Sequence, residues 1–309
     1  MHARCGQDLE VKQVGQKFEV VEQCKEGISK GLEPGKLMDK CAVCWRAHTL
    51  FFSPSAVNKY RRCKRLYAFE YNEKIKLPPS EKQEFGLEVH KKLELWLKKE
   101  EYPDDSPAGL VARQSIDKGW LPKPNPKLLV EYEFEFPVVE FELGKTKGLS
   151  GFGYIDCVVP PELTGAEPMV IDHKSTSDLR WAMTEEELLT DPQSLIYSVW
   201  AMLHFNVPKV RARWIYYAAS NPQDGSPREP RGVKPVEVLI SNQDAMVMSA
   251  IPEILKDFTA MAVIRRERRI GLSFDPTPES CGMYGGCPHI ERCNLTPGDR
   301  LASYIERGY

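Results

Sequence analysis

Asp172 and Lys174 lie two residues apart in the run VIDHKS. In a strand, residues two apart face the same side, so this carboxylate and ammonium project together while His173 points the other way. Alone, such a pair reads equally as a surface ion pair. Here it closes an otherwise apolar strand, Met169-Val170-Ile171. Asp156, in GFGYIDCVV, falls on the strand expected next to it. Two carboxylates from adjacent strands can share one hard divalent cation, with a backbone oxygen and waters completing the shell. Such a cation stabilises charge on a phosphodiester and acidifies a water. A neighbouring lysine can orient or deprotonate that water, or neutralise the developing oxyanion.

Other residues invite a second reading beside a plain one. His90 sits on a charged helix before these strands, where a surface histidine is the simpler account. Gln193 and Tyr197 are four apart on the helix that follows, so they share a face. They are either half-buried packing or an amide and a phenol that hold a phosphate or steer Lys174. Nine cysteines, an odd and clustered set, fit thiol ligands better than a disulfide framework. Cys281, Cys287 and Cys293 fall in the tail CGMYGGCPHIERC, and Cys63 follows SPSAVNKYRR. Cys41 and Cys44 form a C-x2-C knuckle suited to zinc, with Cys5 and Cys24 as its candidate partners. Two unrelated thiols plus one knuckle is the alternative there.

The elements that must position these groups follow from pattern. Ser53-Pro54-Ser55 is a helix start, and the helix is expected to run through AVNKYRRCKRLYAFEY. An amphipathic helix covers 84–99. A Pro- and Asp-rich stretch from Tyr102 to Pro107, and then KPNPK, break the pattern. Three strands follow, LLVEYEFEFPVV, LSGFGYIDCVV and PMVIDHKS. Asp191-Pro192 caps the helix QSLIYSVWAMLHF. VRARWIYYAA and VKPVEVLI are two more strands, and a long helix covers 242–269. The order predicts an α/β fold, a mixed sheet flanked by helices. Three units are expected: a small Cys-containing module over 1–50, a core over 51–272, and a Cys-rich tail over 273–309.

With 309 residues the chain can bury a large core. No apolar run reaches the roughly 20 residues of a membrane span, and MHARCGQDLE has no apolar signal region, so a cytoplasmic location without membrane partners is expected. The net charge of −2 gives no global attraction for nucleic acid. Local patches do: Arg61, Arg62, Lys64 and Arg65; Arg211 and Arg213; Arg265, Arg266, Arg268 and Arg269. Each alone reads as a solvated face.

Taken together, the motifs resemble the RecB-like branch of the PD-(D/E)XK nucleases, which includes CRISPR-associated adaptation exonucleases and AddB-type recombination nucleases. That family carries a His on its first helix, G-x-x-D on the second strand, D/E-x-K on the third and Q-x-x-x-Y on the next helix. The matches are GLEVH ending in His90, GYID ending in Asp156, DHK from Asp172 to Lys174, and QSLIY from Gln193 to Tyr197. The resemblance covers roughly residues 51–293 and implies a restriction-endonuclease-like fold. It implies that His90, Asp156, Asp172 and the carbonyl of His173 hold Mg²⁺ or Mn²⁺, that Lys174 is catalytic, and that Gln193 and Tyr197 support it. Some members hold a 4Fe–4S cluster with one cysteine before the core and three after it, which Cys63, Cys281, Cys287 and Cys293 match in layout. The tail spacing departs from the family's more frequent C-x2-C step, so zinc on Cys281, Cys287, His289 and Cys293 is the rival. The resemblance leaves 1–50 uncovered, where zinc on Cys5, Cys24, Cys41 and Cys44 stays an open reading.

The resulting expectation is a cluster-containing exonuclease cutting single-stranded DNA or DNA ends. Its partners would be recombination, repair or CRISPR adaptation proteins, and such genes also occur in bacteriophages. The basic runs near Cys63 and at 265–269 would line a strand channel. A non-catalytic nuclease-fold binding or scaffold subunit and an RNA-directed nuclease are the alternatives.

Overall fold

The computed structural model describes residues 11–14, 17–20, 49–136, 139–143, 146–220, 222, 226, 228–282 and 286–293. Near the N-terminus β1 (Val11–Val14) and β2 (Lys17–Val20) pair antiparallel. Cys5, Cys24, Cys41 and Cys44 lie outside the described residues.

From β3 (Thr49–Phe52) the chain enters α1 (Pro54–Arg62). The Ser53 side chain accepts from the Ala56 amide, and Pro54 fills the first turn where no N–H is needed. This helix is shorter than expected. Cys63 is extended, with φ −163° and ψ 117°, and separates α1 from α2 (Lys64–Tyr67), which runs into a π turn over Ala68–Asn72. α3 (Glu81–Lys99) opens on a capping box between Ser80 and Gln83. α4 (Pro107–Asp117) occupies part of what reads as a broken stretch; its Ser106-Pro107 start repeats the Ser53-Pro54 signature.

The expected strand over 128–139 is two strands, β4 (Leu129–Glu135) and β5 (Val139–Leu143). β6 (Thr146–Val159) is the long strand that both pair with. A short α5 (Pro161–Thr164) leads to β7 (Met169–Thr176). Then come α6 (Glu185–Thr190) and α7 (Pro192–Phe205), the latter capped by Asp191, which accepts from the Ser194 amide. β8 (Lys209–Ala219), β9 (Pro230–Ser241) and α8 (Ala245–Arg266) complete the core. Among the described residues, no helix is long and apolar enough to cross a membrane.

The sheet is mixed: β4, β5 and β7 pair antiparallel with β6, β3 pairs parallel with it, β8 is parallel to β7 after the α7 crossover, and β9 returns antiparallel to β8. One face packs against α1, α7 and α8, with Val57, Leu195, Trp214 and Phe258 in its core. The other packs against α3 and α4 through Val89, Leu93, Val111 and Ile215. The helix-flanked mixed sheet expected from the sequence is the fold found.

The two-residue alternation of β4 and β6 slips at one level. Leu129 and Tyr132 pack with the α7 side, yet Val130 packs with the α3 side. On β6, Ile155 and Val158 join the α7 side while Cys157 joins the α3 side. Glu131 and Asp156 stand opposite each other between these registers but do not pair. Glu131 has φ 50°, a left-handed conformation that costs a non-glycine residue roughly 1–2 kcal/mol. β7 pairs with β6 only over Cys157–Val159. On the edge of β6 opposite β4, residues 152–156 therefore have no strand partner among the described residues.

α3 lies close on β7 because Gly86 has no side chain: a Cβ there would sit 2.6 Å from Ser175 Oγ. His90 is one turn further along the same face. Gly86→Val should push α3 off the sheet. The expected outcome in urea unfolding is a loss of roughly 1–3 kcal/mol, the usual cost of overpacking. Unchanged stability would show that the helix does not depend on this close approach.

Candidate metal centre and cysteine pocket

Four elements, α3, β4, β6 and β7, bring side chains to the slipped level of the sheet. α3 supplies His90, whose Nε2 lies 2.9 Å from the carbonyl oxygen of His173 and whose Nδ1 lies 3.5 Å from Asp156 Oδ2. β6 supplies Asp156, and its Oδ2 also accepts from the His173 amide at 2.6 Å. β7 supplies Asp172, His173 and Lys174. His173 turns to the α3 side, as alternation requires, where its Nδ1 lies 3.2 Å from the Tyr217 hydroxyl. Its backbone remains in the site, and its N–H and C=O face Asp156 and His90.

Asp172 and Lys174 project together to the α7 side. Lys174 Nζ is 2.5 Å from Asp172 Oδ2 and donates to Gln193 Oε1 at 2.8 Å. Gln193 Nε2 lies 2.9 Å from both Asp172 Oδ1 and the Tyr197 hydroxyl. Tyr197 donates in turn to the Tyr154 carbonyl at 2.7 Å, on the stretch of β6 whose edge opposite β4 has no strand partner among the described residues. One amide side chain therefore holds both charged members of the pair, and the phenol holds the amide. The i, i+4 spacing of Gln193 and Tyr197 foretold a shared face, and the packing of both against this pair is now visible.

Charge is unevenly settled here. Burial and the Asp156 charge push the Asp172 carboxyl up, against the pull of Lys174, to about 7. Burial also raises Asp156, but the hydrogen bond and charge of His90 outweigh it and hold Asp156 at about 2. For His90, burial acts downward and is overcome by Asp156, so the ring is lifted to about 9. Burial drives His173 down to about 3. Asp172 is only 2% exposed, and its Oδ2 makes the Lys174 ion pair but no hydrogen bond of good geometry. A buried carboxylate oxygen in that position suits a cation.

Among the described residues, His90, Glu131 and Asp156 form a group whose ligand atoms all lie within 4.8 Å of one another. Glu131 was missed in the sequence, where it is one of several glutamates alternating along a strand; nothing there signals the slip that turns it inward. Burial and then the Asp156 charge raise its carboxyl. Asp172, ion-paired with Lys174, is not one of that group. The donor set, one imidazole, three carboxylates and one backbone carbonyl, fits Mg²⁺ or Mn²⁺.

A second cluster lies at the break between α1 and α2. Cys63, Cys281, Cys287 and Cys293 line one small pocket with Arg62, Arg65, Phe69 and His289. Cys281 and Cys293 are buried. Burial and then the neighbouring sulfurs push the Cys281 thiol up to about 11. Arg65 reaches across, donating to the carbonyls of Phe274 and Cys293 and lying 3.3 Å from Cys293 Sγ. Arg62 donates to the Ser280 carbonyl, and Arg61 pairs with Asp257. The basic run near Cys63 is thus engaged with the tail and α8, not spread along an open groove. Arg211 and Arg213 share Glu237, and Arg211 also reaches Glu167, so that patch is neutralised too.

The family model described as the PD-(D/E)XK nuclease superfamily matches residues 51–294. None of the curated proteins matches the sequence significantly. Several solved structures align with it, two of which follow. The crystal structure of SSO0001 is 15% identical, covers 69% of this chain and 76% of its own, and gives a TM-score of 0.30. That of a protein described as a putative exonuclease from Eubacterium rectale is 10% identical, covers 84% of this chain and 94% of its own, and gives a TM-score of 0.42.

The raised His90 sets a pH dependence. Its proton is held more tightly in the folded, metal-free protein than in the unfolded chain. That contribution to stability is complete below the ordinary value of 6.5 and is lost as pH rises through about 9. A cation needs the neutral ring. Mn²⁺ binding should therefore release protons, and its affinity should climb from neutral pH to about 9. Calorimetry in buffers of different ionisation enthalpy checks this. Proton-free binding with flat affinity over that range would remove His90 from the ligand set.

Proposed function

The chain belongs to the PD-(D/E)XK nuclease superfamily, and from that premise we propose that it is a metal-dependent exonuclease acting on single-stranded DNA or DNA ends, of the RecB-like iron–sulfur branch. The observation that carries this reading is the meeting of His90, Asp156 and Glu131 with the Asp172–Lys174 pair at the edge of β6 opposite β4. His90, Asp156, Asp172 and the His173 carbonyl are the proposed ligands of Mg²⁺ or Mn²⁺, with Glu131 beside them. The imidazole favours Mn²⁺ over an ion that prefers oxygen alone. A bound divalent cation supplies charge stabilisation at the scissile phosphodiester. Lys174 orients the attacking water and meets the developing negative charge. Gln193 is hydrogen-bonded to both Lys174 and Asp172, and Tyr197 links Gln193 to β6.

Cys63, Cys281, Cys287 and Cys293 are the proposed ligands of a 4Fe–4S cluster. Their common pocket supports this. Arg65, near Cys293 Sγ, would offset thiolate charge. In this reading 51–272 is the nuclease core and 273–309 the cluster tail, and recombination, repair or CRISPR adaptation is the setting.

Lys174→Ala should reduce cleavage of end-labelled DNA by on the order of 10²–10⁴-fold while leaving the fold and strand binding nearly intact. Undiminished turnover would favour a scaffold role, and cleavage of RNA in preference to DNA would overturn the substrate assignment.

Anaerobically purified protein should be brown, with about four irons and four acid-labile sulfides per chain. Cys63→Ser should bleach it and make the tail sensitive to protease. A colourless protein that holds zinc and tolerates Cys63→Ser would replace the cluster with the local tail site.

A further inference from the structure

We propose that Phe51, Phe152 and Tyr154 form a stacking row that takes the bases of single-stranded DNA on the approach to the metal centre. This rests on the exonuclease reading above and names how that site would hold its substrate.

Phe152, Tyr154 and Asp156 follow one another at two-residue steps on β6, alternating with Ile155, which packs with the α7 side. The strand reads buried at Gly151, Gly153 and Ile155 and more open at Phe152, Tyr154 and Asp156. Tyr154 is 51% exposed, unusual for a large ring next to a buried charge cluster. On β3, Phe51 is level with Ser150 and extends the row away from the site. Ring centroids are 6.5 Å apart from Phe51 to Phe152 and 6.1 Å from Phe152 to Tyr154. That is nearly double the step of about 3.4 Å between bases in a duplex strand. Successive rings meet edge to face, at 86° and 72°, so each offers its own face and not a share in one continuous stack. The row therefore suits an unstacked strand giving one base to a ring, and a stacked duplex does not match it.

Glu133 and Glu135 flank the row on β4, opposite Tyr154 and Phe152, and Glu133 accepts from the Tyr154 hydroxyl at 3.1 Å. These carboxylates repel phosphates and can accept from base amino groups. They orient a strand with its bases on the sheet and its phosphates outward until the cation site at Asp156 is reached. Stacking on aromatic rings tolerates any sequence, because every base has a π face. A nuclease working along a strand needs that tolerance.

The test is fluorescence polarisation of labelled oligothymidylate in EDTA, where the strand stays intact. Wild type is compared with Tyr154→Ala, Phe152→Ala and Tyr154→Phe, and a strand of abasic residues with the normal one. Each alanine variant should bind the normal strand roughly 5- to 100-fold more weakly, the size of one base–aromatic stack. Tyr154→Phe should bind as wild type does. The abasic strand should bind wild type weakly, and Tyr154→Ala should weaken that binding no further. Equal affinity of wild type and Tyr154→Ala for the normal strand would overturn the proposal. So would equal affinity of wild type for the two strands. Thermal melting confirms that the variants fold. Cleavage by wild type in Mn²⁺ reports separately on the exonuclease reading, and the binding comparison stands whichever way that assay falls.

Discussion

β4 and β6 change the face they show to each helical layer at the same level, between Val130 and Tyr132 on one strand and between Ile155 and Cys157 on the other. A regular pair of strands would send Glu131 and Asp156 into alternation with their neighbours, half of them against apolar helices. The slip frees both carboxylates to turn towards His90. It is held by a left-handed Glu131, a local strain of roughly 1–2 kcal/mol that apolar packing on either side sustains. Because β7 pairs with β6 only beyond this level, the Asp172–Lys174 pair stands next to the opened stretch. Tyr197 satisfies the Tyr154 carbonyl there in place of a strand.

The second organising contact joins distant parts of the chain. Cys63 ends α1 in an extended conformation, and the break brings it into one pocket with three tail cysteines more than two hundred residues later. Arg62 and Arg65 reinforce the junction through tail carbonyls. A link also runs from α1 towards the site, since Asn58 donates to Asp191, the cap that starts the helix bearing Gln193. The tail is thereby tied, through α1, to the helix that borders the candidate centre.

Much of this was legible in the sequence, for stated reasons. The two-residue spacing of Asp172 and Lys174 and the four-residue spacing of Gln193 and Tyr197 map directly onto strand and helix periods, and both pairs share the face expected. Cap chemistry located the start of α7 at Asp191. The same chemistry at Ser106-Pro107 was overlooked because the surrounding prolines and aspartates read as a loop. The break at Cys63 could not be read, since KYRRCKRLY has helical composition throughout and only the tertiary pull of the tail interrupts it. Glu131 was hidden for a related reason: its role depends on a backbone slip that no residue type announces. Basic runs misled in a different way, for Arg61, Arg62 and Arg65 look free in the sequence and are committed to partners hundreds of residues away.

The central claim is that these groups make one metal-dependent phosphodiesterase centre working from DNA ends. Wild-type protein incubated with Mn²⁺ and single-stranded DNA, labelled in turn at the 5′ and the 3′ end, tests it most directly. The account predicts release of short labelled products from one end before the interior is cut, and complete arrest in EDTA. Strands left intact in Mn²⁺, or cleavage that continues unchanged in excess EDTA, would contradict it.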